Sequence, residues 1–155
     1  MAKNFKVDIK GVKILKQRLD RISAEAAANV NLVIVDGCQK IEGEIKDSMR
    51  TRTSSGRSYK RTKSGLTHTS SAEGSAPNPD LGTLLNSANS NVGVGYKMDG
   101  LFSGEVGSFG LDYAKWLERG TSRMAARPWL VPAFKKEYPG IYSRMIVAIN
   151  KGLAA

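Results

Sequence analysis

Between Val12 and Met49, apolar side chains recur every three or four positions: Val12, Leu15, Leu19, Ile22, Ala26, Val30, Val33 or Ile34, Cys38, Ile41, Ile45 and Met49. That spacing predicts one long amphipathic helix. At 1.5 Å per residue, an unbroken helix to Arg50 measures about 60 Å, wider than a small domain. The chain must therefore bend it, with Asp36-Gly37 the candidate bend, or let one end project. A coiled coil is the other use of such a stripe, but the spacing drifts from a strict heptad. The lone cysteine, Cys38, falls on the apolar face and has no partner for an internal disulfide.

The remaining order has to be arranged around that helix. Phe5, Val7 and Ile9 alternate with Lys6, Asp8 and Lys10, a half-buried strand. Alternation around Val92, Val94 and Tyr96, and again towards Val106, predicts strands near 90–97 and 101–108, joined at Asp99-Gly100, a turn dipeptide that accepts positive φ. Ile141, Met145, Val147 or Ala148 and Ile149 predict a last amphipathic helix, which Pro139 can open and Gly152 end. The expected fold is α+β in one domain, residues 1–155: a small antiparallel sheet packed against the long N-terminal helix and the C-terminal helix, with a long basic loop. No apolar run approaches the roughly 20 residues that span a bilayer, so no membrane partner is expected. The N-terminus, MAKNFKVDIK, has no apolar signal core, so export is not expected.

The formal net charge is +10, and its distribution matters more than its total. Residues 50–80 are rich in Ser, Thr and Gly and poor in large apolar side chains, which reads as an extended basic arm or loop. Arg50, Arg52, Arg57, Lys60, Arg61 and Lys63 crowd its first half. So many like charges call for an anionic surface, either nucleic acid or an acidic protein face. Loops this long inside compact domains are uncommon and are either functional or disordered.

The stretch from Leu111 to Phe134, LDYAKWLERGTSRMAARPWLVPAF, holds both tryptophans. Asp112 can cap a short helix. Tyr113, Trp116 and Leu117 fall on one face of it, and Gly120 suits its C-terminal stop. Pro128 fits the first position of a new helix, with Trp129, Leu130 and Phe134 on its apolar face and Pro132 in or limiting its first turn. Both tryptophans read first as core residues and second as interface anchors, since Trp and Arg are enriched in interface hot spots.

Tyr113 to Phe134 resembles the signature of the tailed-phage head–tail joining family, also called neck or tail-completion proteins. In that family a Tyr-Ala pair leads to an aromatic, an acidic residue, Gly-Thr, a basic linker with Met-Ala, Arg-Pro-aromatic-Leu and Pro-Ala. Here those are Tyr113, Ala114, Trp116, Glu118, Gly120, Thr121, Met124, Ala125, Arg127, Pro128, Trp129, Leu130, Pro132 and Ala133. A looser resemblance takes in the N-terminal strand, the glycine that opens the long helix, and Leu81 to Leu84, where Thr83 stands in place of the family's basic residue. The resemblance implies a structural part of the virion neck between the DNA-filled head and the tail, assembled in the host bacterial cytoplasm. It implies a ring of copies, six-fold or twelve-fold, with neighbouring neck or connector proteins and the tail terminator or tail tube as partners. Subunit contacts would involve Tyr113, Trp116, Glu118, Gly120, Thr121, Arg123, Arg127, Pro128 and Trp129, and the basic arm would meet a partner or the DNA in the channel. The alternative from charge alone is a small basic DNA-binding protein without sequence specificity, for which the chain shows no recognition-helix or zinc-ligand pattern.

Enzymatic chemistry finds little support. His68, the single histidine, lies in the arm with no Asp or Glu beside it in sequence, so no Ser-His-Asp triad is expected. Gly93-x-Gly95 sits in a strand-like segment without a following helix, unlike a phosphate loop. Asp112 and Glu118 read as a helix cap and as an ion-pair partner for Arg119, Arg123 or Arg127, and Glu42 and Glu44 as a solvated face. No cofactor or metal is expected.

Overall fold

The computed structural model describes residues 24–51, 56–61, 65–92 and 103–153. The strand expected at Phe5–Lys10, the first turns of the long helix and the Asp99-Gly100 turn lie outside them. In chain order the elements are α1 (Ala24–Thr51), β1 (Ser58–Lys60), β2 (Thr67–Thr69), α2 (Thr83–Ser87), β3 (Ala88–Val92), β4 (Gly104–Ser108), α3 (Ala114–Arg119) and α4 (Leu130–Leu153). The fold is α+β, with two antiparallel strand pairs, β1–β2 and β3–β4.

The apolar stripe of α1 is the floor of the core. Val30, Cys38, Ile41, Ile45 and Met49 are all buried on it. Ile41, Ile45 and Met49 share one cluster with Leu84, Ala88, Ala114, Trp129, Leu130 and Ala133, and Val106 packs against it, so α2, β3, β4, α3 and α4 all reach the same face. Burying an Ile or Met side chain contributes about 1.5–3 kcal/mol. The long helix therefore holds its place by packing along its length.

α4 runs antiparallel to α1. Asp36 pairs with Arg144, Lys136 Nζ lies 2.5 Å from Glu44 Oε2, and Val30 clusters with Ala148. α1 stays helical through Gly37, the expected bend. That glycine serves the approach of α4 instead: a Cβ there would come within 2.9 Å of Ile141 Cδ1.

The C-terminal region also departs from expectation. One 24-residue helix spans both expected segments, and Pro139 lies inside it rather than at its start. The carbonyl that loses its donor, at Lys135, lies on the exposed side and can turn to water. Phe134 and Ile141 pack against the same core on either side of the proline, so tertiary contact carries the helix through.

β3 and β4 pair in regular register from Ala88↔Ser108 to Val92↔Gly104; β4 falls within the expected strand 101–108, whereas β3 begins two residues before the expected 90–97 and overlaps it only at 90–92 among the described residues. Glu42 was expected on a solvated face, but its Oε2 accepts from Ser90 N at 2.8 Å and Ser90 Oγ at 2.6 Å. It thereby fastens the outer edge of β3 to α1. Glu44, from the same expected face, reaches Lys136 of α4.

The arm is also more ordered than its composition suggests. β1 and β2 form a hairpin with Tyr59 opposite His68, and the Ser58 and Thr69 hydroxyls bond at 2.6 Å. Beyond it Ser71 and Ala76 are each 2 % exposed, so the chain returns to the core on small residues. Composition tracks large apolar side chains, and this segment is held by backbone pairing instead.

Glu42 yields a pH-dependent prediction. The hydrogen bond from Lys46, then that from the Ser90 hydroxyl, hold its carboxyl below its ordinary value of 4.5. A lowered carboxyl pKa gives stability that is present above the ordinary value and lost as pH falls through the lowered one. Glu42→Ala should cost about 1–3 kcal/mol at neutral pH by leaving the Ser90 N–H without its acceptor. The gap to the parent chain, read by urea denaturation, should narrow on acidification below 4.5; a gap independent of pH would contradict this role.

Candidate functional site

The stretch from Leu111 to Phe134 folds into a unit locked to itself. At its centre is Glu118, near the end of α3. Its Oε2 accepts from Trp129 N at 2.7 Å and Leu130 N at 3.0 Å, and its Oε1 accepts from Val131 N at 3.0 Å. These are the first free donors of α4, and Pro132, next in line, has no N–H to satisfy. One carboxylate and one proline thus account for the whole amino end of α4. The negative charge also sits at the positive end of the helix dipole. Glu118, expected to pair with a nearby arginine, is the cap of a helix that starts twelve residues later.

The loop between α3 and α4 is fixed from both sides. Gly120 has φ 74°, and a Cβ there would lie 2.8 Å from Ala126 N and from Met124 O. Left-handed φ and backbone crowding together demand glycine. Thr121 N and Met124 O bond at 2.8 Å to close a tight turn, and Arg127 N returns to Leu117 O at 2.7 Å. Arg127 Nε reaches Ser71 O at 3.2 Å, and Gly74 N reaches Ala126 O at 3.0 Å, tying the loop to the segment after the hairpin. Trp129 is 3 % exposed, and its indole N–H donates to Ala114 O at 3.3 Å. Pro128 is half-buried directly before it.

Two expectations fail on α3. Asp112 makes no cap, since the helix begins at Ala114 and its N-terminal N–H groups turn back to backbone carbonyls, Ala114 N to Leu111 O and Trp116 N to Tyr113 O. The buried face is Ala114, Leu117 and Glu118 rather than Tyr113, Trp116 and Leu117. Trp116 is 50 % and Tyr113 38 % exposed, so only Trp129 is a core tryptophan. Residues two apart lie roughly 200° apart around a helix, so Glu118 turned inward directs Trp116 outward. Lys115 Nζ sits 5.5 Å from the Trp116 ring, and Thr121 and Arg123 are exposed on the adjoining turn.

Next to this face lies the basic hairpin. Arg57 and Lys60 are exposed on it, and Arg50 is exposed in the last turn of α1, whereas Arg52 and Lys63 fall outside the described residues. Arg61 has a different role, bonding both the carboxylate and the main-chain carbonyl of Asp80. The same carboxylate lies 3.1 Å from His68 Nδ1, and Tyr59 meets the imidazole edge-on at 5.4 Å. His68 therefore has the acidic partner that its sequence neighbourhood lacked, supplied from twelve residues downstream. With both Arg61 and His68 on one carboxylate, this group clamps the hairpin to the segment before α2. An open groove of about 340 Å³ runs between the clamp and α3, lined by Tyr59, His68, Pro79, Leu84, Tyr113 and Leu117. Among the described residues no three His, Cys, Asp or Glu side chains cluster as metal ligands, and no helix is long and apolar enough to cross a membrane.

No protein-family model matches the chain, and no curated protein or solved structure matches it. Sequence reasoning missed Asp80 and Ser71 as anchors of the hairpin; the one available signal for Asp80 was that it is the acidic residue closing a strongly basic stretch.

The lock makes graded predictions. Glu118→Ala should lower stability by about 1–3 kcal/mol, because three helix N–H groups lose their acceptor. Glu118→Gln keeps one acceptor oxygen and should fall between the two. Gly120→Val should be at least as damaging as Glu118→Ala, through positive φ and the contact with Ala126. Denaturation followed by Trp129 fluorescence checks the order; a Glu118→Ala chain as stable as the parent would remove the cap from the account.

Proposed function

We propose that this chain is a structural component of a tailed-phage neck, joining the DNA-filled head to the tail as a ring of copies. The observation that carries the reading is the division of labour within Tyr113–Phe134. Glu118, Gly120, Arg127, Pro128 and Trp129 are consumed in holding the unit rigid, which leaves Tyr113, Trp116, Thr121 and Arg123 facing outward beside a basic hairpin. Large aromatics beside arginine on an exposed, pre-organised surface are the composition of protein interface hot spots. A ring needs a surface that meets a different surface on the next copy, and this face is a candidate for one half of that contact. Acidic faces of neck, connector, tail-terminator or tail-tube proteins fit the charge of Arg57 and Lys60. DNA in the channel would meet the same cations through its phosphates without sequence reading. In this reading the protein acts in the virion and catalyses no reaction.

Two sets of substitutions test it in assembling virions. Trp116→Ala should leave the folded chain within about 0.5 kcal/mol of the parent, as surface changes do, whereas Trp129→Ala should cost about 3–5 kcal/mol. Only the first separates folding from assembly: stable protein with DNA-filled heads and free tails supports the proposal, and normal virions contradict it. Arg57→Ser, Lys60→Ser and Lys63→Ser together should block tail attachment if the hairpin meets protein and should release DNA if it meets the genome. Arg61 is left unchanged because it holds the hairpin in place. Intact virions with full DNA retention would remove both roles from the arm.

A further inference from the structure

The hairpin of the basic arm presents an open strand edge. Arg61 N donates to Leu66 O at 2.9 Å and Ser70 N to Arg57 O at 3.1 Å, so Arg57, Tyr59 and Arg61 are the positions that bond across to the second strand. Bonded and non-bonded positions alternate in an antiparallel pair, so Ser58 and Lys60 point their N–H and C=O groups away from β2. Among the described residues no group meets them there, and β1 pairs with β2 alone. The opposite edge is covered at Thr69, whose carbonyl accepts from Asn78 Nδ2 at 2.9 Å. Asp80, bonded to Arg61 and His68, holds the hairpin and its open edge in place.

An exposed edge is a template for another strand. The side chains around it narrow what that strand can be. Successive residues alternate between faces, so Lys60 flanks the edge on one face and Arg57 and Tyr59 on the other. Ser58, Tyr59 and Lys60 are all exposed, and Tyr59 also lines the groove with Leu84, Tyr113 and Leu117. Pairing with β1 of a second copy would set Arg57 and Lys60 against more of the same cations, and like charges across a strand pair repel. A nucleic acid would answer the cations, but its phosphate oxygens only accept, which leaves the Ser58 and Lys60 carbonyls unmet. A peptide strand offers donors and acceptors in alternation.

We propose that the open edge of β1 adds an extended strand from a partner protein, one that alternates acidic and apolar residues. Its main chain bonds Ser58 and Lys60, and its carboxylates lie beside Lys60, with Arg57 adding charge at one end. Its apolar side chains lie beside Tyr59 at the groove. The inference rests on the reading of the hairpin as a contact with an acidic protein and adds how that contact is made. It does not depend on ring formation.

Titration of the full chain with a short capped peptide of alternating Glu and Val, followed by backbone amide NMR, tests it. The Ser58 and Lys60 amide signals should move on binding and their hydrogen exchange should slow. The same peptide N-methylated throughout keeps its charges but has no donors, and should bind several-fold more weakly. Lys60→Gln removes the charge alone. Lys60→Pro also removes the outward N–H without taking a bond from the hairpin, and an unshifted Tyr59 amide signal confirms that the hairpin survives. Lys60→Pro should therefore lose about threefold to tenfold more affinity than Lys60→Gln. Equal losses in the two variants, or equal binding of the methylated peptide, would reduce the contact to charge and overturn the strand. An oligothymidylate that moves the same amides where the peptide does not would assign the edge to nucleic acid and also overturn it. No response to millimolar peptide would overturn it too. Tail attachment lost in the Arg57, Lys60 and Lys63 serine chain would then still support a partner contact, so the two readings fail separately.

Discussion

The carboxylate of Glu118 at the start of α4 is the contact on which the arrangement depends. A 24-residue helix that begins in the protein interior exposes four donors, and those donors need acceptors. Glu118 meets three of them and Pro132 removes the fourth. For that to happen α3 must sit directly over the amino end of α4. This forces the intervening loop into a tight turn, and Gly120 supplies the backbone conformation the turn requires. Trp129 then drops beneath α3 and bonds Ala114 O, so the same contact seats the largest side chain of the core.

From this junction the constraints spread in two directions. Along α4, packing against α1 is strong enough to carry the helix through Pro139, and the Asp36–Arg144 and Glu44–Lys136 pairs keep the two helices in register. The Arg144 guanidinium bonded to Asp36 holds that carboxyl below its usual range, although burial pushes the other way. Across the loop, Arg127 and Gly74 fasten the segment after the hairpin, and Asp80 fastens the hairpin itself. The outward face of α3 and the basic hairpin thus become a pre-organised pair of surfaces.

Periodicity made part of this legible and hid the rest. The α1 stripe, the β3–β4 region and the burial of Trp129 follow from spacing and side-chain size. The role of Glu118 does not, because a cap supplied across a loop leaves no local pattern. Trp116 misled for a related reason: Tyr113, Trp116 and Leu117 share helical spacing, but a six-residue helix has one buried face, and Ala114, Leu117 and Glu118 take it. Pro139 reads as a helix start by local rules, and tertiary packing overrides them. His68 lacks an acidic neighbour in sequence and finds Asp80 only when the hairpin folds back. The residues quoted for the head–tail joining resemblance divide in the same way, since most of them do structural work that composition cannot reveal.

Native mass spectrometry of the purified chain, followed across concentration and salt, bears most directly on the claim that this is a ring-forming neck component. A ring-forming chain should give one discrete assembly at a six-fold or twelve-fold multiple of the 16.8 kDa chain, lost on Trp116→Ala while the chain stays folded. A species that remains at 16.8 kDa under every condition, for parent and variant alike, would contradict it.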